Sequence, residues 1–171
     1  MIKNLKKVIV ANLLLGVTLS AATLEVVNQM IANASTPEEK QLLLCEREAT
    51  EIFKDPQECI KAATIPKERA LYTPYITYED YQAGMWYNAG VIYGNIGEPI
   101  EEAKMYKKAL ELSPNKTSAH LNIGFLYYQG SGVEMNKYKA YEHWSIAAKQ
   151  GNVIAQRNLD ILCRESPWAC K

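Results

Sequence analysis

Residues Trp86 to Tyr93 of this chain align without gaps on His120 to Tyr127. Asn88 and Asn122, Gly90 and Gly124, and Tyr93 and Tyr127 stand at matched positions, 34 residues apart. That spacing is the length of a helix–turn–helix repeat unit. In such a unit the small Gly lets a neighbouring helix come close, and the Tyr three residues later fills the space between the paired helices. One unit cannot bury its own apolar stripe, so units stack. The repeat therefore predicts an all-α fold, a solenoid of short α–α hairpins. No stretch of the chain reads as a strand.

Helix starts are legible elsewhere too. Thr36 can cap a helix, with Pro37 in its first turn and Glu39 three residues beyond the cap. Leu42, Cys45, Ala49, Ile52 and Phe53 then recur at helical spacing. Asp55 and Pro56, ahead of Gln57 and Glu58, repeat the start signal, and Pro66 ends or bends the second helix. Residues 66–77, with Tyr72, Pro74 and Tyr75, read as an irregular connection. Thr77 and Asp80 open the next helix. From there the pattern is helix after helix with short Gly-bearing breaks.

The repeat has a family resemblance. Residues 83–115 resemble one tetratricopeptide repeat through Trp86, Ala89, Gly90, Tyr93, Gly97, Tyr106, Ala109 and Pro114. Glu102 departs from that pattern, which expects a small residue there, and Ala103 follows it. Residues 119–151 resemble a Sel-one-like repeat through Gly124, Tyr127, Gly130, Gly132, Val133, Lys139, Ala140, Trp144, Ala147, Ala148 and Gly151. Asn136 stands in place of the usual Asp. Ala155, Gln156 and Leu159 begin a further unit, cut short by Glu165, Ser166, Pro167 and Trp168, which reads as a terminal cap.

The beginning of the chain is of another kind. Lys3, Lys6 and Lys7 precede a mainly apolar stretch from Val8 to Leu19, and Ser20, Ala21 and Ala22 follow. A basic start, a short apolar stretch and a small-residue exit describe a secretory signal peptide. The stretch is short for a membrane span, which needs ~20 residues, so no stable membrane insertion is expected. The expected organisation is a leader over 1–22, an N-terminal helical segment over 23–77 and a repeat region with its cap over 78–171. Periplasmic or secreted localisation follows.

The cysteines point the same way. Cys45, Cys59, Cys163 and Cys170 are even in number and lie beyond the leader, which favours disulfides in an exported chain. Of three possible connectivities, the local one is expected: Cys45–Cys59 across the break at Asp55 and Pro56, and Cys163–Cys170 around Pro167. A bridge tolerates only ~7 Å between Cα atoms, so Cys45–Cys59 needs the first helix to end early. The cysteines lack the C-x-x-C pairs of a zinc site, and the chain has two histidines, so neither metal nor cofactor is expected.

Function must then lie on a surface. A formal net charge of zero gives no electrostatic footprint for nucleic acid. Without residues 1–22 the chain keeps 16 basic residues against 19 acidic, a net charge of −3. Eleven tyrosines against two phenylalanines suit half-exposed faces, whether of a repeat stack or of a binding groove. The family resemblance implies a concave groove lined by the first helix of each pair and occupied by another protein or peptide. Its outward positions are here Tyr87, Asn88, Val91 and Asn95, then Leu121, Asn122, Phe125, Tyr128 and Gln129. Phe125 has two readings, groove-facing or packed on a neighbouring helix. An envelope accessory protein and an immunity protein against a delivered toxin are the two concrete forms. The alternative is enzymatic. Ser113 and Lys116 have the S-x-x-K spacing of penicillin-interacting serine enzymes, and some small cysteine-rich Sel-one-like proteins are linked to penicillin binding. The inter-repeat turn explains Ser113 and Pro114 without catalysis.

Intact mass of the protein recovered from a periplasmic fraction is expected to begin near Thr23. Recovery of the whole chain in the cytoplasm would defeat the leader reading.

Overall fold

The computed structural model describes residues 28–49, 54–70 and 76–170, and the leader, Ile52, Phe53, Tyr72, Pro74 and Tyr75 lie outside the described residues. Every regular element among the described residues is a helix. None of these is long and apolar enough to cross a membrane.

After a helical turn over 28–32, α1 spans Pro37–Arg47. The Thr36 hydroxyl oxygen accepts the Glu39 N–H at 3.1 Å, and the Glu39 carboxylate accepts the Ser35 N–H at 2.6 Å. This reciprocal arrangement satisfies N–H groups that a helix start leaves unpaired. The α-helix ends at Arg47 and passes into a π-helical turn at Glu48 and Ala49. Glu48 then closes the connection to the next helix by accepting the Asp55 N–H at 3.1 Å. Helix α2 spans Gln57–Ala63, with the Asp55 carboxylate accepting the Gln57 N–H at 2.9 Å. Cys45 and Cys59 are bonded, with Cα atoms 4.3 Å apart, and both are fully buried.

Helix α3 spans Tyr78–Asn95 and is capped by Thr77, whose hydroxyl oxygen accepts the Asp80 N–H at 3.0 Å. Helices α4 (Pro99–Leu112), α5 (Thr117–Gln129), α6 (Lys137–Lys149) and α7 (Val153–Glu165) follow, each packed on its sequence neighbours. Asn136 caps α6 by accepting the Lys139 N–H at 3.0 Å. A 3-10 turn over Pro167–Cys170 folds back on α6 and α7. It is held by Cys163–Cys170, with Cα atoms 5.7 Å apart, and by the Lys137 ammonium donating to Ser166 Oγ at 2.7 Å.

Two helix pairs close on a glycine. A Cβ added at Gly90 of α3 would stand 2.6 Å from Tyr106 Cε1 of α4. One added at Gly124 of α5 would stand 2.5 Å from Trp144 Cδ1 of α6. Both rings are buried, and the indole N–H of Trp144 donates to the Leu121 carbonyl at 3.0 Å. Gly132 meets a different demand. Its φ is +67°, and any Cβ there would overlap the Pro99 carbonyl, so the α5–α6 loop passes close against the start of α4. The N-terminal segment shares a core with α3: Leu42, the Cys45–Cys59 bridge and Ala62 pack with Tyr81, Met85, Ala89 and Ile92.

The same substitution is predicted to act with opposite sign at two helical glycines. Gly124→Ala drives a methyl group into Trp144, and overpacking of that kind costs ~1–3 kcal/mol. Gly84 lies inside α3 with nothing within 4 Å of an added Cβ, so Gly84→Ala is expected to stabilise by ~0.5–1 kcal/mol. Urea denaturation of the two variants measures both. Equal effects would refute the close-approach account.

Candidate functional site

A cleft of about 360 Å³ opens between α3, α4 and α5. Val91, Phe125 and Leu126 form its apolar side. Asn95, Gln129 and Ser131 stand with them, and Gly94, Glu102, Tyr106 and Asn122 complete the lining. The helix register explains this set. Gly90 and Gly94 are one turn apart on α3, and Tyr106 and Glu102 are one turn apart on α4. The aromatic ring faces the first glycine. The carboxylate faces the second, with an added Cβ at Gly94 lying 2.7 Å from Glu102 Oε1.

The polar groups are chained. The Tyr106 hydroxyl oxygen takes an N–H from Asn122 Nδ2 at 3.0 Å. The other Asn122 N–H reaches the Tyr87 hydroxyl at 3.4 Å, and the Tyr87 ring stacks on Tyr106 with centroids 5.5 Å apart. Burial raises the Glu102 carboxyl above its ordinary value, and the Tyr106 hydroxyl partly offsets this. Burial also raises both tyrosines.

Of the nine positions expected to line a groove, Val91, Asn95, Asn122, Phe125 and Gln129 line this cleft. The other four do not. Tyr87 is packed on Tyr106, as above. Asn88 is turned to the N-terminal segment, with its Nδ2 3.9 Å from Cys45 Sγ. Leu121 packs against the core. Tyr128 tilts on Trp144 and donates its hydroxyl to Glu165 at 2.6 Å, and that carboxylate raises the Tyr128 pKa. Both readings of Phe125 hold, because it lines the cleft and also sets its edge on Trp144 at 5.3 Å. Glu102 and Tyr106 were not expected as lining residues. The signal for Glu102 was its departure from the repeat pattern. Helix α4 begins at Pro99 and uses Ala103 as the small buried residue, which leaves Glu102 beside Gly94.

Ser113 lies away from the cleft. Its hydroxyl donates to Asp80 Oδ1 at 2.6 Å, and that bond is the largest influence holding the Asp80 carboxyl below its ordinary value. A carboxylate held low is a poor base. Lys116 is half-buried with its ammonium 5.5 Å from the Tyr87 ring centroid, and burial lowers its pKa. Among the described residues no group of three or more His, Cys, Asp or Glu side chains could hold a metal ion.

Two titratable groups went unmarked by sequence pattern. His120 Nε2 lies 2.8 Å from the Pro114 carbonyl oxygen, so that nitrogen carries the proton and Nδ1 accepts. The His143 Nδ1–H then donates to His120 Nδ1 at 2.8 Å, and Tyr127 stacks on His143. Burial, then His120, Lys139 and Lys107, push His143 down to about 4. Glu46 is fully buried in α1, and burial pushes its carboxyl up to about 8, opposed by Lys116.

These two groups act on stability with opposite sign. An unfolded His takes its proton near 6.5 and the folded His143 near 4, so its contribution is complete above 6.5 and is lost as pH falls towards 4. The folded Glu46 releases its proton near 8 and the unfolded one near 4.5, so its contribution is complete below 4.5 and is lost as pH rises through 8. Thermal unfolding followed from pH 4 to 9 is expected to give a highest midpoint between about 4.5 and 6.5. His143→Gln, which retains an N–H for His120, is expected to flatten the acid limb and spare the alkaline one. An unchanged acid limb would remove His143 from the account. Among known proteins, no family model, curated protein or solved structure matches the chain.

Proposed function

We propose that this chain is an exported protein-binding module built as a stack of helical-hairpin repeats of the tetratricopeptide and Sel-one-like kind. On this reading the partner docks over the cleft between α3, α4 and α5. One observation carries the reading. Five positions chosen from the repeat pattern alone as groove-facing line a single cleft, and nothing in a generic helical packing requires that coincidence. The paired close approaches at Gly90 and Gly124 support the repeat. The two disulfides are compatible with an oxidising compartment and so with export. An accessory protein of an envelope machine and an immunity protein against a delivered toxin are the two settings for such a module.

The enzymatic alternative rests on Ser113 and Lys116. A serine nucleophile needs a base and an oxyanion pocket held by a rigid surround. The Ser113 hydroxyl instead ties the end of α4 to the start of α3 through Asp80, which favours a structural role.

Capture of partners from an envelope extract by the mature protein tests the reading. Phe125→Ala with Gln129→Ala is expected to weaken capture more than tenfold, since aromatic anchors at interfaces are worth ~2 kcal/mol or more. The far-UV circular dichroism should remain that of the parent. Ser113→Ala is expected to leave capture intact. Loss of the cellular phenotype in the Ser113 variant, with the cleft variant unaffected, would reverse the assignment in favour of catalysis.

A further inference from the structure

Gln129 and Ser131 can both donate and accept in the cleft, and the groups beside them are weighted towards acceptors. Asn95 Nδ2 donates to the Val91 carbonyl oxygen at 2.8 Å, which only the amide nitrogen can do, so Oδ1 remains as an acceptor. Asn122 turns its Nδ2 to the Tyr106 and Tyr87 hydroxyls, at 3.0 and 3.4 Å. Asn122 Oδ1 is thus a second acceptor. Neither oxygen accepts a hydrogen bond among the described residues. Glu102 adds a carboxylate, a negatively charged acceptor when ionised. No Lys or Arg is among the lining residues. Phe125 supplies an aromatic face.

A carboxylate, two amide oxygens and an aromatic ring are complementary to a guanidinium. That group is flat, always charged, carries five N–H donors, stacks on rings and is weakly hydrated, whereas an ammonium is compact and strongly hydrated. The volume, about 360 Å³, lies at the small end for ligand sites. It suits one side chain and not a length of strand or helix.

We propose that the cleft is an arginine pocket: it receives the guanidinium of one arginine of the protein partner, paired with Glu102. This rests on the protein-binding reading above and names its anchor. Asn95 and Asn122 accept the N–H groups that Glu102 does not, and Phe125 flanks the plane.

The test uses the mature chain, labelled for NMR, titrated with the capped tripeptide Gly-Arg-Gly and with its citrulline and lysine counterparts. Citrulline keeps the shape of arginine without the charge. The arginine peptide is expected to shift the backbone signals of Glu102, Asn122 and Phe125 saturably at millimolar concentration. The lysine and citrulline peptides should bind at least threefold and tenfold more weakly, respectively. Glu102→Gln should weaken the arginine peptide at least tenfold with the rest of the spectrum unchanged, since the amide keeps the shape of the carboxylate and an acceptor oxygen. No saturable shift, equal binding of citrulline or lysine, or an unaltered Glu102→Gln titration would each overturn the pocket. The two readings fail separately. Capture lost in the Phe125 variant and fully kept in Glu102→Gln sinks the pocket and leaves protein binding standing. Arginine-peptide binding without any protein capture does the reverse.

Discussion

The architecture depends on a backbone meeting a ring. At Gly90 and again at Gly124 a helix presents bare backbone, and the next helix fills the place with Tyr106 or Trp144. A ring against backbone makes many short dispersion contacts, each small and together large. It also sets the distance and register of the pair. Removing such a ring would forfeit on the order of 3–5 kcal/mol, and Trp144 carries in addition a hydrogen bond to the Leu121 carbonyl. Everything one turn further along each helix is placed by this contact.

That one turn explains why the first pair has a cleft. On α3 the residue after Gly90 by one turn is Gly94, which leaves room, and on α4 Glu102 stands opposite it. The matching position on α5 is Tyr128, and the matching position on α6 is Ala140. There the Tyr128 ring lies against Trp144, with Ala140 fully buried. The two glycine contacts set the spacing, and the residues one turn beyond them decide whether the space between the helices is filled or left as a cleft.

The sequence carried the caps and the covalent links well, because these depend on residues near one another in the chain. Thr36 and Thr77 accept the N–H groups their positions predict. Both disulfides follow the local pairing, since α1 ends at Arg47 and brings Cys45 within reach of Cys59. The groove positions were legible in part. A single-helix rule picks the outward face of α3 and α5, but it cannot see that α4 contributes Tyr106 and Glu102 to the same space. Nor can it see that the N-terminal segment claims Asn88, because that depends on Cys45 packing 3.4 Å from the Met85 sulfur, a contact between distant parts of the chain. The His120–His143 pair was illegible for the same reason. Its geometry is set by the α5–α6 packing and by the Pro114 carbonyl, and no spacing rule connects them.

The acceptor-weighted chemistry proposed for the cleft also has a negative side. A partner that offered a carboxylate, such as a free C-terminus or an acidic side chain, would bring like charge to Glu102 and oxygen to the oxygens of Asn95 and Asn122. Specificity is a difference between affinities, and repulsion of the wrong group contributes as much to it as attraction of the right one. The Tyr106 hydroxyl lowers the Glu102 pKa and so offsets part of the effect of burial. On the proposed reading, one half-buried acid, on a helix that the glycine contact has already placed, sets the sign of what enters.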